Sequence, residues 1–147
     1  MSRYVFEIVV ALNDSPESQR ALRAAIDFAR SFGASLATVS ILGDRPAYAS
    51  FAIVADSAAS ATMRQDRRRI QAEMHDSATR LAREHGVQAT SAIVEGREVQ
   101  AVLRFLKEQK ADLLVIGLHQ HDFYLSRLWS SVYDLAQDAT CSVLGVH

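Results

Sequence analysis

Leu113-Leu114-Val115-Ile116-Gly117-Leu118-His119-Gln120-His121-Asp122-Phe123-Tyr124-Leu125-Ser126-Arg127-Leu128-Trp129-Ser130-Ser131-Val132 is the stretch from which the rest of the chain is read. Its first four residues are apolar without interruption, the pattern of a strand buried on both faces of a parallel sheet. Behind a serine pair, Val132, Leu135 and Ala136 take up helical spacing, which predicts a short helix over 131–138. Strand, loop and helix N-terminus in that order form a phosphate-binding geometry, because open α/β sheets bind ligands beyond the carboxyl ends of their strands. The loop nevertheless holds a single glycine, Gly117.

Upstream, the same alternation repeats. Tyr4 to Leu12 reads as the first strand, and Asn13-Asp14-Ser15-Pro16 as a helix start with Ser15 as N-cap. Ala21, Leu22, Ala25, Phe28, Ala29 and Phe32 mark the apolar face of that helix, and Gly33 stops it. Leu36 to Leu42 predicts a second strand. A connection over 44–61 follows, long enough to carry a role of its own. Met63, Ile70, Met74, Ser77, Ala78 and Leu81 predict a long amphipathic helix with Arg64, Arg67, Arg68 and Arg69 on its other side. Ala89 to Val94 reads as strand three, Val99, Val102, Leu103 and Leu106 as the inner face of a helix, and Ser142 to Val146 as strand five. Repeated β-α units imply a parallel sheet with helices on both faces and right-handed crossovers.

Composition narrows the function. At 147 residues the chain is expected to form one domain, over 1–147, without needing disulfides or metals for its core. Sixteen basic against 17 acidic residues exclude a general electrostatic affinity for nucleic acid or anionic membrane. A lone cysteine, Cys141, fits a reducing compartment, and neither a signal peptide nor a membrane-length apolar run is seen. A soluble cytoplasmic protein is expected. The final strand is expected at a sheet edge, where Val143, Leu144 and Val146 invite pairing with a second copy.

Four segments carry a family likeness. Leu12-Asn13-Asp14-Ser15-Pro16-Glu17-Ser18, Val94-Glu95-Gly96-Arg97, Ala111 to Gly117 and Cys141-Ser142-Val143-Leu144-Gly145-Val146 resemble, in order and spacing, segments of the universal stress proteins. The resemblance implies a three-layer α/β/α fold, Rossmann-like and similar to the adenine nucleotide alpha hydrolases, with a five-stranded parallel sheet of order 3-2-1-4-5. It also implies homodimers formed through the last strand. ATP-binding members carry Gly-x-x-Gly, nine residues, then Gly-Ser or Gly-Thr. On this chain Gly117 matches the first glycine, Gln120 and Ser130 replace the next two, Ser131 matches the hydroxyl and His119 a common loop histidine. The family's aspartate after strand one falls on Asn13.

By this resemblance a nucleotide would meet Ala11, Leu12, Asn13, Ile41, Ile116, Gly117, His119, Gln120, Ser130, Ser131 and Val132. A glutamine where a glycine takes a left-handed dihedral costs roughly 1–3 kcal/mol, and Asn13 removes a carboxylate that would serve Mg through oxygen. Two readings follow. One is a non-enzymatic stress-response protein acting through dimerisation and a protein partner or small ligand. The other is a switch that binds ATP, with Mg, or AMP, with at most weak hydrolysis, because no general base is evident. A phosphorylated receiver domain would need an aspartate ending strand three and a lysine ending strand five; Val94 and Val146-His147 do not provide them.

Smaller features weigh toward structure. His119-Gln120-His121-Asp122 has metal-ligand chemistry, but neighbours on one loop seldom close a coordination shell. Arg67-Arg68-Arg69 is read as a solvated helix face and Cys141 as a structural thiol. Phe123, Tyr124, Leu125 and Trp129 are either a cover over the core or a partner surface.

Overall fold

The computed structural model describes residues 7–43, 57–118 and 134–147. Among the described residues the elements run β1 (Glu7–Ala11), α1 (Pro16–Phe32), β2 (Ser35–Gly43), α2 (Ser57–Glu84), β3 (Ala89–Gly96), α3 (Glu98–Gln109), β4 (Leu113–Gly117) and β5 (Ser142–Val146). A helical segment over 134–138 precedes β5. The strands form one parallel sheet in the order β3-β2-β1-β4-β5, which is the expected order. None of the described helices is long and apolar enough to cross a membrane.

The central strands are sealed on both sides. Ile8, Val9 and Val10 of β1 and Leu114 and Val115 of β4 have no exposed surface, as an uninterrupted apolar strand requires in a parallel sheet. One face of the sheet is covered by α1 and α2, through Leu22, Ile26, Ala78 and Ala82 against Ile8, Val10 and Leu36. The other is covered by α3 and the 134–138 segment, through Val102, Phe105, Leu106 and Leu135 against Val9, Val39 and Leu114. At roughly 1.5–3 kcal/mol for each large aliphatic side chain removed from water, these two layers supply most of what opposes chain entropy.

α1 begins and ends where its sequence says it should. Ser15 caps it by accepting the Ser18 N–H at 3.1 Å, Pro16 starts it, and Gly33 closes it in the left-handed region at φ 66°. α2 departs from expectation. The spacing of Met63 and Ile70 placed them on a buried face, but both are about 60% exposed, while His75, Ala78 and Ala82 are buried. Length accounts for the difference. The 28 residues of α2 span ~42 Å, whereas the nine of β2 beneath it span only ~30 Å. The first half of the helix therefore runs past the sheet, and residues 61–70 are all exposed.

Candidate functional site

Where β1 and β2 end, the chain opens into a cleft of about 250 Å³. Leu12, Ile70 and Met74 give it apolar walls; Asn13, Asp14 and Arg67 stand at its rim; Ser40 and Gln71 reach it from the sheet and from α2, and Ile41, whose side chain packs into the opposite core, borders it from β2 with its carbonyl turned to Gln71. It lies at the carboxyl ends of the strands, where parallel sheets place their ligands. A larger groove, about 580 Å³, lies at the opposite end among Glu7, Ser35, Arg83 and Gln109. There the Glu7 carboxylate holds the Ser35 hydroxyl, and the strands begin rather than end. Position in the sheet, not size, selects the first cleft.

The β1–α1 turn is fastened by its own side chains. Asn13 Oδ1 accepts the Ser15 N–H at 2.8 Å, and the Asn13 N–H donates to Ser18 Oγ at 2.9 Å. Ser18 is buried and its hydroxyl leans on the Ala11 carbonyl at 3.5 Å. An asparagine in this position forms the turn without adding charge. Gly117, at the end of β4, abuts the first turn of α1: a Cβ there would lie 2.5 Å from the Glu17 carbonyl carbon. This glycine therefore has a packing reason independent of any ligand.

Beneath the cleft runs a buried polar chain. His75 on α2 is 2% exposed, with Nδ1 2.7 Å from Thr38 Oγ1 and Nε2 2.7 Å from Ser40 Oγ. Ser40 Oγ donates to Gln71 Oε1 at 2.8 Å, and Gln71 Nε2 donates to the Ile41 carbonyl at 3.2 Å. The protons follow by elimination. Ile41 offers only an acceptor, so Gln71 turns its amide nitrogen there and its oxygen toward Ser40. Ser40 spends its proton on Gln71, so His75 Nε2 carries hydrogen and Nδ1 accepts from Thr38. The chain thus runs one way, Thr38 to His75 to Ser40 to Gln71 to Ile41. Burial pushes the His75 imidazole below its ordinary pKa, against the opposing pull of Asp76.

The four arginines in the exposed half of α2 divide by partner. Arg64 and Arg68 meet on Glu95 at 2.6 and 2.9 Å, and their hydrogen bonds hold its carboxyl below the usual carboxylate range. Arg69 pairs with Asp66 at 3.3 Å, whereas Arg67 faces the cleft. Cys141 is half-buried, and burial pushes its thiol up, which makes it a poor nucleophile.

Of the residues singled out in the sequence, Leu12, Asn13 and Ile41 come together around the cleft. Ala11 lies half-buried just behind it, and Ile116 is in the core of the other face. His119, Gln120, Ser130, Ser131 and Val132, together with His121-Asp122 and the Phe123-to-Trp129 aromatic group, lie outside the described residues. Thr38, Ser40, Gln71 and His75 escaped the sequence reading. Their signal was present as polar residues two apart in a buried strand and four apart on a helix. Among the described residues, no group of three His, Cys, Asp or Glu side chains is placed to hold a metal ion.

A family model described as the universal stress protein family matches residues 6–147. Among solved structures, a universal stress protein family member from Burkholderia pseudomallei is 26% identical, with a TM-score of 0.71 over 99% of this chain and 98% of its own. A universal stress protein in complex with cAMP is 23% identical, TM-score 0.68, covering 97% of each chain. One from Archaeoglobus fulgidus in complex with dAMP is 24% identical, TM-score 0.67, covering 97% of this chain and 98% of its own. A search of curated proteins by sequence returned no match.

Proposed function

We propose that this chain, which belongs to the universal stress protein family, acts as a cytoplasmic regulatory protein that binds an adenine nucleoside or nucleotide without efficient turnover. The observation that carries the reading is the cleft at the ends of β1 and β2, with Leu12 and Met74 as walls and an amide, Gln71, at its floor. Apolar flanks with a few polar groups are what a flat heteroaromatic ring needs. A volume near 250 Å³ lies below the range of drug-sized pockets, so it suits the base of a nucleotide rather than the whole molecule. The relatives solved with cAMP and with dAMP support the same ligand class.

Two features favour binding over hydrolysis. Both nitrogens of His75 are engaged within the protein, so it is not poised on a water. Asn13 supplies an amide where a carboxylate would attract Mg, so the ligand is read through its base. Calorimetric titration of the nucleotide-stripped protein with adenosine, AMP, cAMP and Mg-ATP tests the reading. Saturable binding at one site per chain, with adenosine sufficient for most of the affinity, is expected. A folded chain that binds none of the four at millimolar concentration would overturn it.

Dimerisation through β5 belongs to the same proposal. Ser142 N–H donates to the Asp112 carbonyl and the Val146 carbonyl accepts from Leu118, so the alternate residues Val143 and Gly145 turn their backbone groups to the open edge. Side chains of Val143, Leu144 and Val146 pack onto the two cores. Val143→Pro, which removes one outward donor, is expected to halve the sedimenting mass; an undiminished dimer would move the interface elsewhere.

A further inference from the structure

We infer that Gln71 is the residue that selects the ligand in this cleft, and that it does so because Ser40 and Ile41 lock its amide in one orientation. The inference rests on the nucleoside reading above and extends it to which base edge is accepted. A primary amide has two donor hydrogens and two acceptor lone pairs. Gln71 uses one of each within the protein, on Ile41 and on Ser40, and retains one N–H and one lone pair. A donor and an acceptor on one amide are what a ring edge with an amino group beside a ring nitrogen calls for, the groups by which glutamine reads adenine.

An unconstrained glutamine can also read the reversed edge, a carbonyl beside a ring N–H, by turning its amide over. Here the turn is blocked at both ends. It would set Oε1 against the Ile41 carbonyl oxygen, and it would take from the Ser40 hydroxyl the acceptor it uses. Ser40 can redirect its proton to His75 only if the imidazole changes tautomer and Thr38 turns its hydroxyl from Nδ1 to the Thr90 carbonyl at 3.4 Å. His75 and Thr38 are therefore positioning residues for a selector they do not touch. They are also buried, at 2% and 0% exposure, so solvent does not compete for the chain. A buried polar network satisfied throughout holds one geometry.

Adenosine and inosine differ at this edge and hardly elsewhere, so their affinity ratio is the test. The wild-type protein is expected to prefer adenosine by about tenfold or more, the discrimination a well-placed bidentate pair provides. Gln71→Leu should weaken adenosine and bring the ratio to within about twofold, since the pair is then missing. Ser40→Ala should leave adenosine bound and strengthen inosine, because one of the two contacts that hold the amide is then gone and only the Ile41 carbonyl opposes the turn. Imidazole nitrogen shifts in the free protein should report His75 protonated on Nε2 alone, a readout independent of any ligand.

A ratio unchanged by both substitutions, or His75 protonated on Nδ1, would overturn the selector while leaving nucleoside binding intact. If neither nucleoside binds a folded wild-type chain, the nucleoside reading and the selector fall together.

Discussion

α1 and α2 cover the same face of the sheet and are held there by different physics. α1 buries Ala21, Leu22, Ala25, Ile26 and Ala29, an apolar side chain at nearly every turn. Its buried polar side chain, Ser18, is used up in the turn that starts it. α2 is exposed along 61–70, meets β2 through Gln71 and His75, and only then settles on Ala78 and Ala82. Apolar contact fixes distance and tolerates small rotations, whereas a chain of hydrogen bonds fixes direction. The helix that frames the cleft is thus the one attached by directional bonds, and the helix that carries the core is the one attached by shape.

The contrast can be broken most directly by weighing the two attachments. Ile26→Ala deletes a fully buried side chain from α1 and is expected to cost about 2–5 kcal/mol in urea unfolding. His75→Leu, on α2, takes one partner from each of two buried hydroxyls, leaving Ser40 on Gln71 and Thr38 on the Thr90 carbonyl at 3.4 Å; each hydrogen bond lost costs about 0.5–1.5 kcal/mol, part of which leucine burial returns. Replacing the whole set, Thr38→Val with Ser40→Ala and His75→Leu, should recover much of that loss, because the buried hydroxyls are then gone and only Gln71 Oε1, which lies at the cleft, loses its donor. If His75→Leu proved costlier than Ile26→Ala, α2 and not α1 would anchor this face. A triple variant no more stable than the single would place the cost in packing rather than in lost partners.

Much of the α1 side of this comparison was legible in the sequence, and little of the α2 side. Ser15-Pro16 and Gly33 announce a helix with both its ends, and the spacing from Ala21 to Ala29 announces its buried face. The parallel sheet followed from the repeated β-α units and its strand order from the family likeness, and the sheet bears both out. Met63 and Ile70 misled because helical spacing registers apolar residues without registering where the sheet beneath stops. Gln71 and His75 were passed over because a polar residue on a helix defaults to solvent unless its partner is known. Their partners, Thr38 and Ser40, sit in β2, more than 30 residues away. Leu12 and Ile41 were found beforehand through the likeness alone, and that likeness had nothing to say about the floor between them.

Acid should sharpen the contrast, since the polar attachment titrates and the apolar one does not. The folded chain holds His75 below the ordinary value of 6.5 by burying it, so on acidification the unfolded chain takes up this proton first. The contribution is therefore fully present above pH ~6.5 and is lost as pH falls from there through the lower folded value. Unfolding free energy is expected to drop between pH 7.5 and 5.5, and to drop less in the triple variant that lacks the imidazole. Equal slopes would mean that His75 is as easily protonated in the fold as out of it.

The smallest effect is expected where α2 overhangs the sheet. Arg64 and Arg68 share the exposed carboxylate of Glu95 at the end of β3. Exposed pairs of this kind lose most of their attraction to solvent and salt, so Glu95→Ala should leave the urea midpoint where it was. The overhang should respond locally instead. Backbone amides over 61–68 are expected to exchange faster with solvent in the variant, and faster in the wild type at high salt, while those over 78–82 keep their protection. A midpoint that fell with Glu95→Ala would show that the overhanging half of α2 contributes to global stability, and the division of the helix at Gln71 would have to be abandoned.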